Sequence, residues 1–169
     1  MNRIAVVGCS GSGKSTFCRQ IAKKIGLPLI HLDYSFHDST KDYVHDKEAW
    51  YKKAKELIDQ PTWIIDGVYS STFSIRFKRA DVIFFFDYPR YICLYRIFKR
   101  WFEYRKKHRE DMPLDWQEKI DWGFLRFVWT FNKAYRYKIT DELAKADKKV
   151  IVFHNPKETE LYLKKLSKV

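Results

Sequence analysis

A parallel α/β sheet with helices on both faces is the architecture this sequence predicts, and three observations predict it. Five short apolar runs recur along 169 residues, separated by stretches with helical periodicity, which is the rhythm of strand–helix–strand crossovers. The first run enters a glycine-rich turn, as a buried parallel strand does when it feeds a helix. The interval between the fourth and fifth runs is far longer than one crossover needs. It implies a helical insertion over residues 90–140, carried within a single domain that spans 1–169.

The elements follow in order. Ile4–Val7 is the first strand, and a helix over Ser15–Ile25 is stopped by Gly26 and Pro28. Pro28–Leu32 reads as the second strand. Asp46 stands where an N-cap belongs, before Trp50, Ala54, Leu57 and Ile58 at helical spacing. Pro61 precedes the third strand, Trp63–Asp66. A short helix over Ser71–Lys78 leads to the fourth, Val82–Phe86, and Pro89 sits where a helix can begin. The insertion reads as two long helices, Arg90–Lys107 and Asp115–Lys138, joined near Glu110–Pro113, with Asp115 and Glu118 as a capping-box variant. Lys149–Phe153 is the fifth strand and Pro156–Leu166 a last amphipathic helix.

Composition narrows the class. The chain carries 33 Lys+Arg against 21 Asp+Glu, a net charge of +12, and 18% aromatic residues. With 46% hydrophobic residues it has ample surface to bury, which excludes a disordered polyelectrolyte. The positive charge calls for anionic partners, whether nucleic acid, a membrane surface or phosphorylated small molecules. The three cysteines, Cys9, Cys18 and Cys93, form no C-x-x-C pair, so neither a disulfide framework nor a zinc knuckle is expected. The run Ile4–Val7 before Cys9 is too short for a signal's apolar region, and no stretch is long enough to span a membrane. A cytoplasmic protein with no membrane partner is therefore the expectation.

Gly8-Cys-Ser-Gly-Ser-Gly-Lys14-Ser15 matches G-x-x-x-x-G-K-[ST] in full. Gly8, Gly11 and Gly13 let the backbone curl around a phosphate, with the N–H groups of the loop, Ser10 and Ser12 included, pointing inward at the positive end of the next helix. Lys14 then reaches the β- and γ-phosphates and the Ser15 hydroxyl ligates Mg²⁺. Thr16 adds a hydroxyl near the α-phosphate. ATP with Mg²⁺ is the implied ligand, and the fold class becomes that of a P-loop NTPase. Cys9, within the loop, reads either as a reactive thiol whose pKa the helix terminus lowers or as a free position that happens to be cysteine. His31 reads as a packed histidine at a strand end, and His154 is uninformative.

Two strand-end carboxylates remain. Asp66 closes Trp-Ile-Ile-Asp and is the natural metal-holding acid of such a loop. Asp33 follows the second strand at the carboxyl edge of the sheet, where α/β proteins bind ligands. It fits a general base for an acceptor hydroxyl and equally a turn-capping residue. A guanine reader is excluded, because Asn132-Lys-Ala-Tyr135 lacks the required Asp and falls inside a helical pattern. The end of the fifth strand, Phe153-His-Asn155-Pro156, offers backbone atoms to a base.

Together these residues resemble the small P-loop kinases of the adenylate-kinase-like superfamily and, more narrowly, the bacterial DNA topology modulation proteins. The resemblance is carried by Gly8–Ser15, His31-Leu-Asp33, Trp63–Tyr69, Arg76, Ala80-Asp81, Pro89-Arg90, Arg96, Arg100, the aromatic stretch Phe124–Phe131 and Asn155-Pro156. It implies a five-stranded parallel sheet, Mg-ATP as donor and a lid whose arginines cover the transferring phosphate. By that likeness Arg96 and Arg100 contact the donor phosphates, with Arg126 and Arg136 as candidates from the returning helix. Asn155 belongs to the nucleotide side; Asp33, Tyr34, Tyr69 and Arg76 belong to the acceptor side. Two departures leave the acceptor open. Asp66-Gly-Val-Tyr69 replaces the superfamily's Asp-Gly-Phe-Pro-Arg, and residues 33–61 hold no arginine to clamp a nucleoside monophosphate.

Residues 90–138 gather 13 Lys/Arg against six Asp/Glu, interleaved with rings. They read as a kinase lid, as a nucleic-acid surface in which cations track the backbone and rings stack on bases, or as core. Trp122, Leu125 and Trp129 follow one helical stripe and Ile120, Phe124, Phe127 and Phe131 a second. Core packing is the expectation for most of the rings, with Lys106–Arg109 a solvated lid tip and a homodimer through the aromatic helix as a further partner.

Overall fold

The computed structural model describes residues 1–37, 43–104 and 121–166. Five parallel strands form one sheet in the order β2-β3-β1-β4-β5: β1 Arg3–Gly8, β2 Leu29–His31, β3 Trp63–Asp66, β4 Val82–Phe86 and β5 Lys149–Phe153. β1 lies at the centre, with Ile4 opposite Ile64 on β3 and Val82 on β4. Ile4 to Val7 and Ile64 to Ile65 are inaccessible to solvent, which is why they read as unbroken apolar runs.

Helix α1 (Lys14–Ile25) follows β1 and buries Phe17, Cys18 and Ile21. The Phe17 ring meets Phe84 at 4.9 Å, Phe86 at 5.2 Å and Phe153 at 5.6 Å, all edge to face. The second strand is shorter than expected: Leu32 leaves the sheet to start the five-residue α2 (Leu32–Phe36). Helix α3 (Lys47–Ile58) begins as predicted, with the Asp46 carboxylate accepting from the Ala49 amide at 2.8 Å. A 3₁₀ turn at Ser70–Thr72 runs into α4 (Phe73–Arg79). Helix α5 is Arg90–Tyr104 and α8 is Pro156–Leu166.

The insertion departs from expectation in two ways. Its second helix starts at Trp122, capped by Asp121 accepting from the Phe124 amide at 2.8 Å. It then runs on to Ala146 as α6 (Trp122–Phe131), a π segment (Asn132–Arg136) and α7 (Tyr137–Ala146). The wider π turn brings Tyr135 onto the Phe131 ring, stacked at 5.7 Å. The Asp115–Glu118 box and the Lys106–Arg109 tip lie outside the described residues.

The second departure concerns the rings. Tyr91, Tyr95, Phe98 and Phe102 form a solvent-facing stripe along α5, and Trp122 is 86% exposed. Most described rings of the insertion are therefore surface, while Phe131 is buried and Phe124 and Phe127 are half-buried against the core. The cause is the partner that α5 packs on. Its inward face carries Cys93 and Ile97, and an ideal Cβ on Gly11 would lie 2.4 Å from the Cys93 carbonyl and 2.9 Å from Ile97 Cγ1. A helix resting this closely on a glycine loop has no room for rings on its inward face, so the ring stripe takes the opposite one. Among the described residues no helix is long and apolar enough to cross a membrane.

Candidate active site

The phosphate loop joins the carboxyl end of β1 to α1. At Gly8, φ is +143° and a Cβ would stand 2.5 Å from the Phe86 carbonyl, so only glycine lets β1 turn here beside β4. α1 has no side-chain cap and no acidic residue in its first turn, which leaves its N-terminal amides for an anion. Lys14 is buried, with Nζ donating to the Cys9 carbonyl at 2.9 Å. The Arg96 guanidinium, reaching down from α5, donates to the Ser12 carbonyl at 3.0 Å. The buried Ser12 hydroxyl has no hydrogen-bond partner among the described residues.

The loop opens into a cleft of about 640 Å³. Ser10 to Thr16, Asp33, Arg96 and Arg100 line it, together with Arg19, Lys99, Glu103 and the start of α8. Five cations thus face three carboxylates (Asp33, Glu103 and Glu160), a field that attracts phosphate. Arg19 and Lys99 were missed from sequence. Arg19 stands four residues after Ser15 and Lys99 three after Arg96, spacings that put each on the face of a residue already singled out.

On the far side of β1, Tyr69 donates to Asp33 Oδ1 at 2.9 Å, and burial together with Asp33 pushes the phenol pKa far up. His31 Nδ1 donates to Asp66 Oδ1 at 2.8 Å in a partly buried pair. His31 is therefore a partner of the strand-end acid and not merely packed. Its place at the carboxyl end of β2, opposite Asp66 in register, was the available signal.

The other candidates are dispersed. Arg76 is wholly buried beside the stacked Phe73 and Phe77 rings, with Nη2 donating to the Gly67 carbonyl at 3.0 Å. Burial lowers its pKa to about 10, against the opposing pull of Asp66 and Asp33. Tyr34 is half exposed on α2, outside the cleft lining. Arg126 is exposed on α6. Arg136 holds Asp87 through Nε at 2.9 Å and Nη2 at 2.8 Å. Asn155 caps α8: its Nδ2 donates to Glu158 Oε1 at 2.6 Å, and its Oδ1 accepts from the Glu158 amide at 3.2 Å. Of the predicted catalytic groups, the structure brings Lys14, Asp33, Arg96 and Arg100 to one cleft and leaves Arg126 and Arg136 outside its lining.

The fold recurs in solved kinases. Shikimate kinase from Bacteroides thetaiotaomicron superposes with a TM-score of 0.61 at 17% identity, covering 99% of this chain and 97% of that one. The fold is that of the P-loop kinases. Shikimate kinase from Acinetobacter baumannii, solved with shikimate, gives a TM-score of 0.58 at 14% identity over 99% and 92% of the two chains. Deoxyadenosine kinase from M. mycoides gives 0.55 at 17% identity over 98% of each. No family profile and no curated protein sequence matches the chain.

Proposed function

We propose that the protein is a phosphotransferase that moves the γ-phosphoryl group of ATP onto the hydroxyl of a small acceptor. The observation that carries this reading is that Lys14, Arg96 and Arg100 share one cleft with Asp33. Cations that would stabilise a transferring phosphoryl group and a carboxylate that would take the acceptor's proton thus face the same space.

The residues present fit the donor. A bare helix terminus, a glycine-cornered loop and a buried ammonium held by one backbone carbonyl make a cradle that a polyphosphate completes. Lys14 would exchange the Cys9 carbonyl for a phosphate oxygen, and Arg96 and Arg100 would neutralise charge on the transferring group. Ser15, with Asp66 oriented by His31, would hold Mg²⁺, which supplies further neutralisation of the phosphate oxygens. Tyr69 fixes one oxygen of Asp33, leaving the other to accept the acceptor's hydroxyl proton. The buried Arg76 would hold the Gly67 turn through its carbonyl, which makes it a positioning residue on the acceptor side. Shikimate and deoxyadenosine, after which those neighbours are named, both offer hydroxyls, and an uncharged hydroxyl compound suits an acceptor segment without arginine.

An ATP-consumption screen across nucleosides, nucleoside monophosphates and small polyols tests the reading. Lys14→Ala should lower turnover by at least about 10²–10³, and Asp33→Asn should lower it by about 10²–10⁴ while ATP binding persists. ATP binding and turnover left unchanged by Lys14→Ala overturn the assignment.

The exposed rings of α5 favour a second reading, an ATP-binding regulator that docks nucleic acid. Stacking on Tyr95 and Phe98 beside Lys99 would give single-strand affinity that falls steeply with salt and drops on Tyr95→Ala. The topology modulation resemblance of the sequence points the same way. A second copy would cover the same rings, and sedimentation distinguishes the two.

A further inference from the structure

The cleft has a wall that the proposed phosphotransfer leaves without a task. Tyr88 and Thr159 both line it, yet they are only 2% and 8% exposed, so each shows the cleft little more than an edge. Tyr88 stands in the short link between β4 and α5, and Thr159 lies in the first turn of α8. Their hydroxyls meet at 2.6 Å, a buried hydrogen bond that spans 71 residues of sequence and that either oxygen could donate. Burial pushes the Tyr88 phenol pKa up, which keeps the hydroxyl protonated.

The ring of Tyr88 has a second neighbour. The Arg96 guanidinium carbon lies 5.7 Å from its centroid, within the range of a cation–π contact. The same guanidinium donates through Nη1 to the Ser12 carbonyl at 3.0 Å, and Nη1 would stand 3.0 Å from a Cβ on Gly13. Arg96 is thus held on two sides, by the phosphate loop and by an aromatic face. A long, flexible cation serves a transferring phosphate only in the orientation that meets it, so what holds that orientation bears on the rate.

We propose that Tyr88 is a positioning residue for Arg96: its ring supports the guanidinium over the phosphate loop, and its hydroxyl, anchored on Thr159, keeps that ring in place. The proposal rests on the nucleotide-binding reading above and gives Tyr88 no contact with the reacting atoms. When a donor binds, Arg96 exchanges the Ser12 carbonyl for a phosphate oxygen. Its hold on the loop is then given up, and the ring remains to define its place. Tyr88 precedes the first residue of α5 by two positions, so an unanchored ring would follow any tilt of the helix that carries Arg96. Thr159 belongs to α8, which packs on α1 and β5. The anchor therefore ties the ring to the body that carries the phosphate loop.

A hydrogen bond that served the fold alone would behave differently from one that places a cation. Removing one hydroxyl leaves the other buried and unpaired, which costs stability. Removing both leaves an apolar pair of similar shape, a change close to neutral for the fold. Stability should thus return in the combined variant, while the hold on Arg96 should not.

The test measures MgATP affinity by calorimetry and the unfolding midpoint by chemical denaturation. It covers Tyr88→Phe, Thr159→Val and the two combined, each with Arg96 present and in an Arg96→Ala background. With Arg96 present, all three should bind MgATP about fivefold or more weakly than the parent protein. In the Arg96→Ala background the same changes should alter affinity by less than about twofold, because no guanidinium is left to place. The combined variant should regain a midpoint close to the parent's while its affinity stays weak. Equal weakening in the two backgrounds overturns the proposal, since Tyr88 then acts on the fold and not on Arg96. Parental affinity in the combined variant with Arg96 present overturns the proposal alone. A parent protein that binds no MgATP overturns the nucleotide reading and the proposal with it.

Discussion

The two ends of β4 lead to regions built on opposite principles. Before it, β1, the phosphate loop and α1 are held by backbone geometry: glycines where a Cβ would collide, a lysine folded onto its own loop, rings sealed beneath α1. After it, α5 to α7 are held by a narrow seam of small and half-buried side chains, with the largest rings facing solvent. The first region tolerates almost no change and shows its purpose in its motif. The described residues of the second leave a large apolar surface exposed.

The largest effect should come from removing the ring that seals the first region. Phe17→Ala deletes edge-to-face contacts with Phe84, Phe86 and Phe153 and should cost about 3–5 kcal/mol, read by chemical denaturation. A cost below about 1 kcal/mol would mean that α1 can collapse onto the sheet, and that the contrast in rigidity is false.

Lys14→Ala ranks next and acts on chemistry alone. Turnover should fall by at least about 10²–10³, while the unfolding midpoint stays close to that of the parent protein. Among the described residues the side chain's hydrogen-bond partner is a loop carbonyl, so its loss leaves little unpaired there. A large loss of stability instead would show Lys14 to be a structural strut of the loop.

How much of this was legible in the sequence follows the same division. The bounds of β3, β4, β5 and α8 agree with expectation, because buried parallel strands are written as continuous apolar runs between Pro, Gly and charged residues. The phosphate loop was legible because its spacing is dictated by backbone geometry rather than by neighbours. The rings of α5 misled, since Tyr91, Tyr95, Phe98 and Phe102 carry the same periodicity whether a stripe faces in or out. What decides the face is the Cys93–Gly11 approach, a contact 82 residues apart that no local pattern records. Likewise Arg136 and Asn155 looked available for phosphate or base, and only the fold shows Arg136 on Asp87 and Asn155 closing the cap of α8.

A smaller effect tests the foundation of the first region by pH. Asp81 accepts from the Asn2 amide at 2.6 Å and the Arg3 amide at 3.0 Å, tying the start of β1 to the turn before β4. These amides, with Arg3 beside them, hold its pKa below the ordinary carboxylate value. A depressed folded pKa contributes stability above the unfolded value of about 3.9 and loses it as pH falls through the folded one. Asp81→Asn should therefore cost under about 1 kcal/mol at neutral pH, the group being partly exposed, and flatten the acid limb of the stability curve. An acid limb identical in both proteins would place the dependence elsewhere.

The smallest expected effect lies in the second region and has the most to say about it. Trp122, the first residue of α6, is 86% exposed, and the Asp121 cap that starts the helix does not depend on its side chain. Trp122→Ser should shift the stability of the isolated chain by no more than about 0.5 kcal/mol, because an exposed ring buries nothing that serine would expose. If the unfolding midpoint instead falls by several degrees in a manner that depends on protein concentration, the ring is buried in a second copy. The aromatic face of the insertion would then be an interface within the assembly, and the difference between the two regions would belong to the monomer only.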